Sequence, residues 1–231
     1  MFERILGESP YQSPTDMGVN MAGNCIFDDE AVSDASRREI VRRYYQAMCD
    51  LRTGRGEESA VAKIELLMNK AEITVDINPT VAASLRKAEE TGMPAVAIEL
   101  PDGQVVTGKT SSLLGASSAA LLNALKVLAG LDDSLHLIAP EVIEPIQHLK
   151  VSHLGNHNPR LHTDETLIAL SISAVTDPNA ERAMEHLAEL SGCDAHSTVI
   201  LSQVDTDVFR KLGVNMSCEP RYQTKELYHK R

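Results

Sequence analysis

The sequence predicts an α/β protein in which a helical subdomain is followed by a small layered α/β subdomain. Three observations carry that expectation. Ile40, Val41, Tyr44, Ala47, Met48 and Leu51 recur with the 3.6-residue period of a core-facing helix. After Gly92 the pattern changes to short β-branched runs, "AVAIEL" and "QVVTG". From there onward strand-like runs alternate with apolar helical stretches, which is the pattern of helices layered on a sheet. The expected division is 1–92, an irregular arm plus the helical subdomain, and 93–231, the α/β subdomain.

The opening segment, with Pro10, Pro14, Gly18 and Gly23 among polar residues, shows no period of either kind. Asp28 and Asp29 then offer capping oxygens to a first helix that closes near Gly54. A second helix runs from about Glu57 to Lys70. A third has Asn78 as its cap, Pro79 at its first position and Gly92 past its end. "PDG" between two β-branched runs marks a hairpin. An apolar helix follows in "GASSAALLNALKVLAG", then a brief strand "LHLIA", a helix "PEVIEPIQHLK" and a polar loop "VSHLGNHNPRLH". "TDETLIALSISAVT" is apolar on nearly every side, which predicts a buried helix. Asp177-Pro178 starts another helix, and "STVILS", "DTDVFRKLG" and "VNMSCE" follow as strand, helix and strand.

Composition excludes several classes. With 33 acidic against 22 basic residues the net charge is -11, which opposes the counterion release that dominates nucleic-acid affinity. The absence of Trp and the few Phe and Tyr leave little on which bases could stack. No apolar run has the length of a membrane span, and "MFERILGESP" lacks the apolar core of a signal peptide, so a cytoplasmic location is expected. Cys25, Cys49, Cys193 and Cys218 lie far apart without a C-x-x-C, which predicts free thiols. No cofactor is indicated.

"GQVVTGKT", Gly103 to Thr110, spells a P-loop. A working one needs a strand before the first glycine and a helix starting at the Lys-Thr, so that loop and helix amides meet the phosphates. Here Gly103 belongs to the Asp-Gly turn and "QVVT" reads as strand, so the string is expected to be half of a hairpin. Lys109 and Ser111 nevertheless sit where a strand leaves the sheet, and Ser117 near the start of a helix with free amides. These three are candidate contacts for an anion, against the alternative that the serines cap the helix.

Elsewhere, His153, His157, His162, Asp164 and Glu165 form the densest metal-competent group, but in no zinc spacing, and no metal site is expected. In "GCDAHSTVIL", Cys193 and Ala195 are expected to pack while Asp194 and His196 meet solvent, with His196 kept as a lining residue. Asn156, His157 and Arg160 are polar candidates from the "NHNPR" loop. Thr15, Asp16 and Asn20 belong to an arm that would close over a polar ligand.

"SPYQSPTDMGVNMAGNCIFDDEA", "IVRRYYQA", "GASSAALLNALK", "GCDAHSTVILS" and "CEPRYQTKELYH" together resemble the C-terminal half of the bacterial family known as domain of unknown function 1846. The resemblance implies that a preceding half, with its own glycine-rich P-loop-like segment, is missing. It also implies a topology similar to cytidine deaminases but without the zinc site. The H-x-E and P-C-x-x-C that such a site needs do not occur, and Gly115-Ala116-Ser117-Ser118 stands at the corresponding helix start.

Two functions follow as expectations. The first is the small-molecule-binding part of a cytoplasmic enzyme, taking a small anionic, phosphorylated or nucleotide-like ligand. The second is an assembly module that docks on a second copy, giving a homo-oligomer, or on a separately encoded N-terminal chain. No nucleic-acid or membrane partner is expected.

Overall fold

The structure, a computed structural model, describes residues 29–223. Its centre is the hairpin marked by Pro101, Asp102 and Gly103. The Gly103 N–H donates to the Leu100 carbonyl at 2.9 Å, and Asp102 Oδ1 accepts from the Gln104 N–H. Gly103 has φ +83°, so the connection is a type I turn closed by a left-handed glycine. It joins β1 (Ala95–Glu99) to β2 (Val105–Lys109), antiparallel, with Ala95 opposite Lys109. On the other edge of β1 lies β3 (Asp194–Ser197), antiparallel to it, and β4 (Asn215–Cys218) runs parallel to β3. The order is β2-β1-β3-β4.

The helices are α1 (Asp29–Arg52), α2 (Glu58–Lys70), α3 (Pro79–Thr91), α4 (Ala116–Leu128), α5 (Pro140–His148), α6 (Thr163–Ser173), α7 (Pro178–Glu185) and α8 (Gln203–Lys211). Their ends obey local chemistry. Asn78 Oδ1 accepts from the Thr80 N–H, Pro79 follows it, and Gly92 ends α3 at φ +66°. Asp177 caps α7 through the Asn179 N–H, and Ser202 caps α8 through the Asp205 N–H. The Asp28 cap lies outside the described residues.

Strand alternation divides the sheet into two faces. Val96, Ile98 and Ala195 enter the larger core with Ala120, Leu121, Ala124 and Leu125 of α4. Glu99, Asp194 and His196 meet α1 instead: Arg38 pairs with both carboxylates, and the His196 ring lies 4.5 Å from that of Tyr45. A smaller core of Val41, Tyr45, Met68, Ile73 and Val81 joins α1, α2 and α3.

Gly108 decides how closely α4 can lie on β2. A Cβ there would come within 2.1 Å of the Ala120 nitrogen and 2.5 Å of the Ala119 carbonyl carbon. The second glycine of "GQVVTGKT" is therefore a helix-on-strand packing position, and the string is the hairpin strand that its β-branched residues predict.

Four expectations change. "LHLIA" forms no strand; Leu137 and Ile138 plug the larger core from the connection between α4 and α5, and the sheet has no partner for them. The strand expected at "STVILS" lies upstream, at Asp194–Ser197. The ladder ends at Thr198, which still bonds Ala95, and Val199 leaves the sheet as Ser197 Oγ turns back onto its backbone. The polar loop after α5 begins with a wide turn, Leu149–His153. Finally, α6 is not buried all round: Ile168 and Ile172 are 58% and 53% exposed, and Val175 in the turn that follows is 82% exposed.

Candidate functional site

Two distant pieces of backbone meet at the start of α4. Leu161 bridges in parallel to Leu114: its N–H donates to the Leu113 carbonyl, and its own carbonyl accepts from the Gly115 N–H and from Ser118 Oγ. Lys150 fixes the approach of this loop from below. It is buried, and its Nζ donates at 2.6 Å to both the Arg160 carbonyl and Glu165 Oε2. Arg160 and His162, which flank Leu161, are thereby held beside Gly115-Ala116-Ser117.

The result is a cleft of about 270 Å³ whose wall includes Thr110, Ser117, Arg160, His162, Ser202 and Asp205. That volume suits a small ligand. The first bond within α4 is Ala119 N–H to Gly115 carbonyl, so the N–H groups of Ala116, Ser117 and Ser118 carry the positive end of the helix. The N-cap is Gly115, and no side chain caps it. Ser111 bonds instead to Leu113 and Leu114, so neither it nor Ser117 takes the capping role that competes with anion binding. Thr110 and Ser117 are each 3% exposed and line the cleft, yet neither hydroxyl has a hydrogen-bond partner among the described residues. Arg160 donates from Nε to the Ser111 carbonyl at 2.6 Å, which orients the guanidinium and leaves its terminal nitrogens unengaged among the described residues.

The same lining holds a carboxylate and imidazole pair. Asp205 is buried. Its Oδ1 accepts from the Thr163 N–H and Oγ1, both at 3.0 Å, and its Oδ2 meets Ser202 Oγ at 2.7 Å and His162 Nδ1 at 3.1 Å. Burial pushes the Asp205 carboxyl up, but these hydrogen bonds outweigh it and leave it below the ordinary carboxylate value. The same bond raises His162 against the opposing effect of burial.

The candidates chosen from sequence are only partly brought together. Ser117 and Arg160 line the cleft. Lys109 is exposed outside the lining; the next residue, Thr110, is the one delivered to it. Ser111 contributes its carbonyl to Arg160, and Asn156 and His157 are exposed on the loop beyond. His196 is a correction: it is fully buried under α1, with Nδ1 2.8 Å from Ser217 Oγ. Its strand face was assigned to solvent, but α1 covers that face. Thr15, Asp16 and Asn20 lie outside the described residues. Thr110, of interest with Lys109 as a residue at the strand's end, lines the cleft, whereas His162, Asp205 and Ser202 are not among the ligand contacts expected from sequence. The one local signal was the Asp205 and Ser202 spacing of a helix cap, which says nothing of a partner 43 positions away.

Other groups offer less. Among the described residues no three His, Cys, Asp or Glu side chains converge as metal ligands; His153 stacks on His148 and Glu165 serves Lys150. A wider cleft of about 650 Å³ beside Cys49 and Cys218 has its polar groups engaged, Gln46 and Arg55 with Asp50, and Tyr222 with the Arg52 carbonyl. Burial pushes the Cys49 and Cys218 thiols up to about 12 and about 11, away from nucleophilic reactivity. None of the described helices is long and apolar enough to cross a membrane.

The family model for the C-terminal part of domain of unknown function DUF1846 matches residues 76–228. The chain belongs to the DUF1846 family. The model for the family's N-terminal part matches residues 1–72, which corrects the expectation of a C-terminal half alone. The chain is 56% identical over 230 residues to the UPF0371 protein stu1377 of Streptococcus thermophilus, covering 100% of this chain and 47% of that protein. It is likewise 56% identical over 229 residues to the UPF0371 protein SpyM50764 of Streptococcus pyogenes, covering 99% and 46%. The chain therefore spans about half the length of these relatives.

Proposed function

We propose that this chain is the small-molecule-binding part of an enzyme handling a phosphorylated or nucleotide-like ligand, whose anionic group enters the cleft at the start of α4. One observation carries the proposal: the hydroxyls of two largely buried residues, Thr110 and Ser117, face a cleft at an uncapped helix N-terminus and have no hydrogen-bond partner among the described residues. Open to the cleft and unpaired by protein, they are left for a ligand oxygen or an ordered water. Arg160, oriented by Ser111, adds fixed positive charge suited to a planar array of phosphate oxygens.

The test is thermal shift and calorimetry with inorganic phosphate, nucleotides and sugar phosphates. A ligand at ten times its Kd stabilises by about 1.4 kcal/mol, a rise of roughly 3–6 °C for a chain of this size. Arg160→Ala should weaken binding about tenfold or more, the loss of a charge-assisted hydrogen bond, whereas Lys109→Ala should leave it unchanged. No stabilisation by any of these ligands at millimolar concentration would sink the proposal.

A second reading, an assembly module that docks on a second copy, is favoured by the exposed Ile168 and Ile172 on α6 and Val175 in the turn after it. These residues stand one helical turn apart and carry no charge. In a chain of net charge -11 such a face lets two copies bury apolar surface without placing like charges in direct contact. Light scattering of the wild type and of Ile172→Asp decides it: a monomer in both removes this reading, and co-purification with a different chain would replace the second copy as the occupant.

A further inference from the structure

We infer that His162 is a proton-bearing contact of this cleft, held by Asp205, and that it makes the site selective for phosphate monoester dianions. The inference rests on the anion-binding reading above and adds a specificity residue to it.

His162 Nδ1 is committed to Asp205 Oδ2 at 3.1 Å, so that position carries a hydrogen directed at the carboxylate. His162 lines the cleft, and its Nε2 has no partner among the described residues. A ring whose Nδ1–H is held in this way presents Nε2 as an acceptor when neutral and as a second donor when protonated. Beside α4 the cleft offers donors and hydroxyls, the amides of Ala116 and Ser117, the hydroxyls of Thr110 and Ser117 and the Arg160 guanidinium, while the Asp205 carboxylate in the same lining is engaged by Thr163, Ser202 and His162. A neutral acceptor would face an anion lone pair to lone pair; the protonated ring completes the donor set. Such an array is matched by a terminal phosphate with three charged oxygens. A diester leaves donors unmet, which costs affinity.

The charges that face His162 come from every element around it. Asp205 lies on α8. Glu165 on α6 takes the His162 N–H at 2.8 Å and the Lys150 ammonium at 2.6 Å. Lys150 comes from the turn after α5, and Arg160 from the loop on the cleft side. Asp205 and Glu165 favour the imidazolium, and Lys150 opposes it. The buried Asp205, whose only close imidazole is His162, outweighs the Lys150 charge that Glu165 already neutralises. An anion in the cleft adds a further favourable charge, so binding and protonation reinforce one another.

The experiment titrates the chain with monomethyl and dimethyl phosphate from pH 7 to 9, where the monoester stays mostly dianionic. In the wild type, affinity for the monomethyl ester should fall, by up to about tenfold, as pH rises through the raised His162 pKa, and the dimethyl ester should bind at least tenfold more weakly than the monomethyl ester at pH 7. His162→Gln should bind the monomethyl ester more weakly than wild type at pH 7 and without pH dependence above it. The His162 ring resonances of the wild type give a readout independent of any variant: saturating monomethyl phosphate should raise the His162 pKa by up to about one unit, the same coupling seen from the other side. Monomethyl phosphate binding with an unmoved His162 pKa, or with equal pH dependence in wild type and His162→Gln, overturns the inference while leaving the binding site intact. Absence of monomethyl phosphate binding to the wild type at pH 7 overturns both readings, and is told apart because no titration curve exists at all.

Discussion

Replacing Gly108 by alanine tests whether the tail of "GQVVTGKT" serves packing or phosphate. The added Cβ would lie 2.1 Å from the Ala120 nitrogen and 2.5 Å from both the Ala119 carbonyl carbon and the Ala120 Cα. These are backbone atoms of α4, so no side-chain rotamer can relieve the overlap. Separating carbon from backbone to ordinary contact requires more than an ångström of helix displacement against the buried Leu121, Ala124 and Leu125. Overpacking of this kind costs about 1–3 kcal/mol, and a clash with backbone belongs at the upper end. At about 3 kcal/mol the melting temperature of a chain this size drops by roughly 6–12 °C. Circular dichroism melts of wild type and Gly108→Ala give the number, with Gly103→Ala as a reference whose cost comes from φ +83° alone and should be about 1–2 kcal/mol. The packing account is refuted if Gly108→Ala melts within a degree or two of wild type. It is equally refuted if the variant loses ATP binding without losing stability, since that is the signature of a phosphate loop.

Ser117→Ala and Thr110→Val should each weaken phosphate binding about fivefold while changing stability by less than 1 kcal/mol, because neither hydroxyl has a protein partner to lose; calorimetry and urea melts measure the two effects. Asp205→Asn should cost about 1–3 kcal/mol in urea unfolding, since it loses charge-assisted bonds from His162, Thr163 and Ser202. Because Asp205 is held below its ordinary value, its contribution is present above that value and disappears as pH falls through the lowered pKa. Because His162 is raised, its contribution is present below about pH 6.5 and disappears as pH rises through the raised pKa, so wild type but not Asp205→Asn should lose stability in that upper window. Asn78→Ala removes the cap of α3, whose Oδ1 accepts from the Thr80 N–H at 3.1 Å and Oγ1 at 2.6 Å, and should cost about 1–2 kcal/mol in the same assay.

Much of the architecture was legible because local chemistry enforces it. Asn78-Pro79 and Gly92 bound α3 through a cap, a fixed φ and a left-handed end, all within a few residues of chain. Pro101-Asp102-Gly103 closes the hairpin for the same kind of reason. The misplaced strands show where this fails. "LHLIA" and "STVILS" have the composition of strands, but pairing depends on whether a sheet edge is free beside them, and β1 takes Asp194–Ser197 instead. The exposed side of α6 is a similar case: "TDETLIALSISAVT" carries apolar residues all round, and only the neighbours decide which of them are covered.

The sequence by itself determined the mixed α/β class, the positions of most helices and of the hairpin, their caps and turns, the acidic composition and the hairpin nature of "GQVVTGKT". These follow from interactions within one turn or one hairpin, where spacing is geometry. The tertiary structure alone decided that Arg160 and His162 reach the start of α4, that Asp205 orients His162 and that α1 buries His196. Those pairings close loops of 43 residues or more, between His162 and Asp205, and of 156 residues, between Arg38 and Asp194. Over such separations no residue's neighbours in sequence carry information about its neighbours in space.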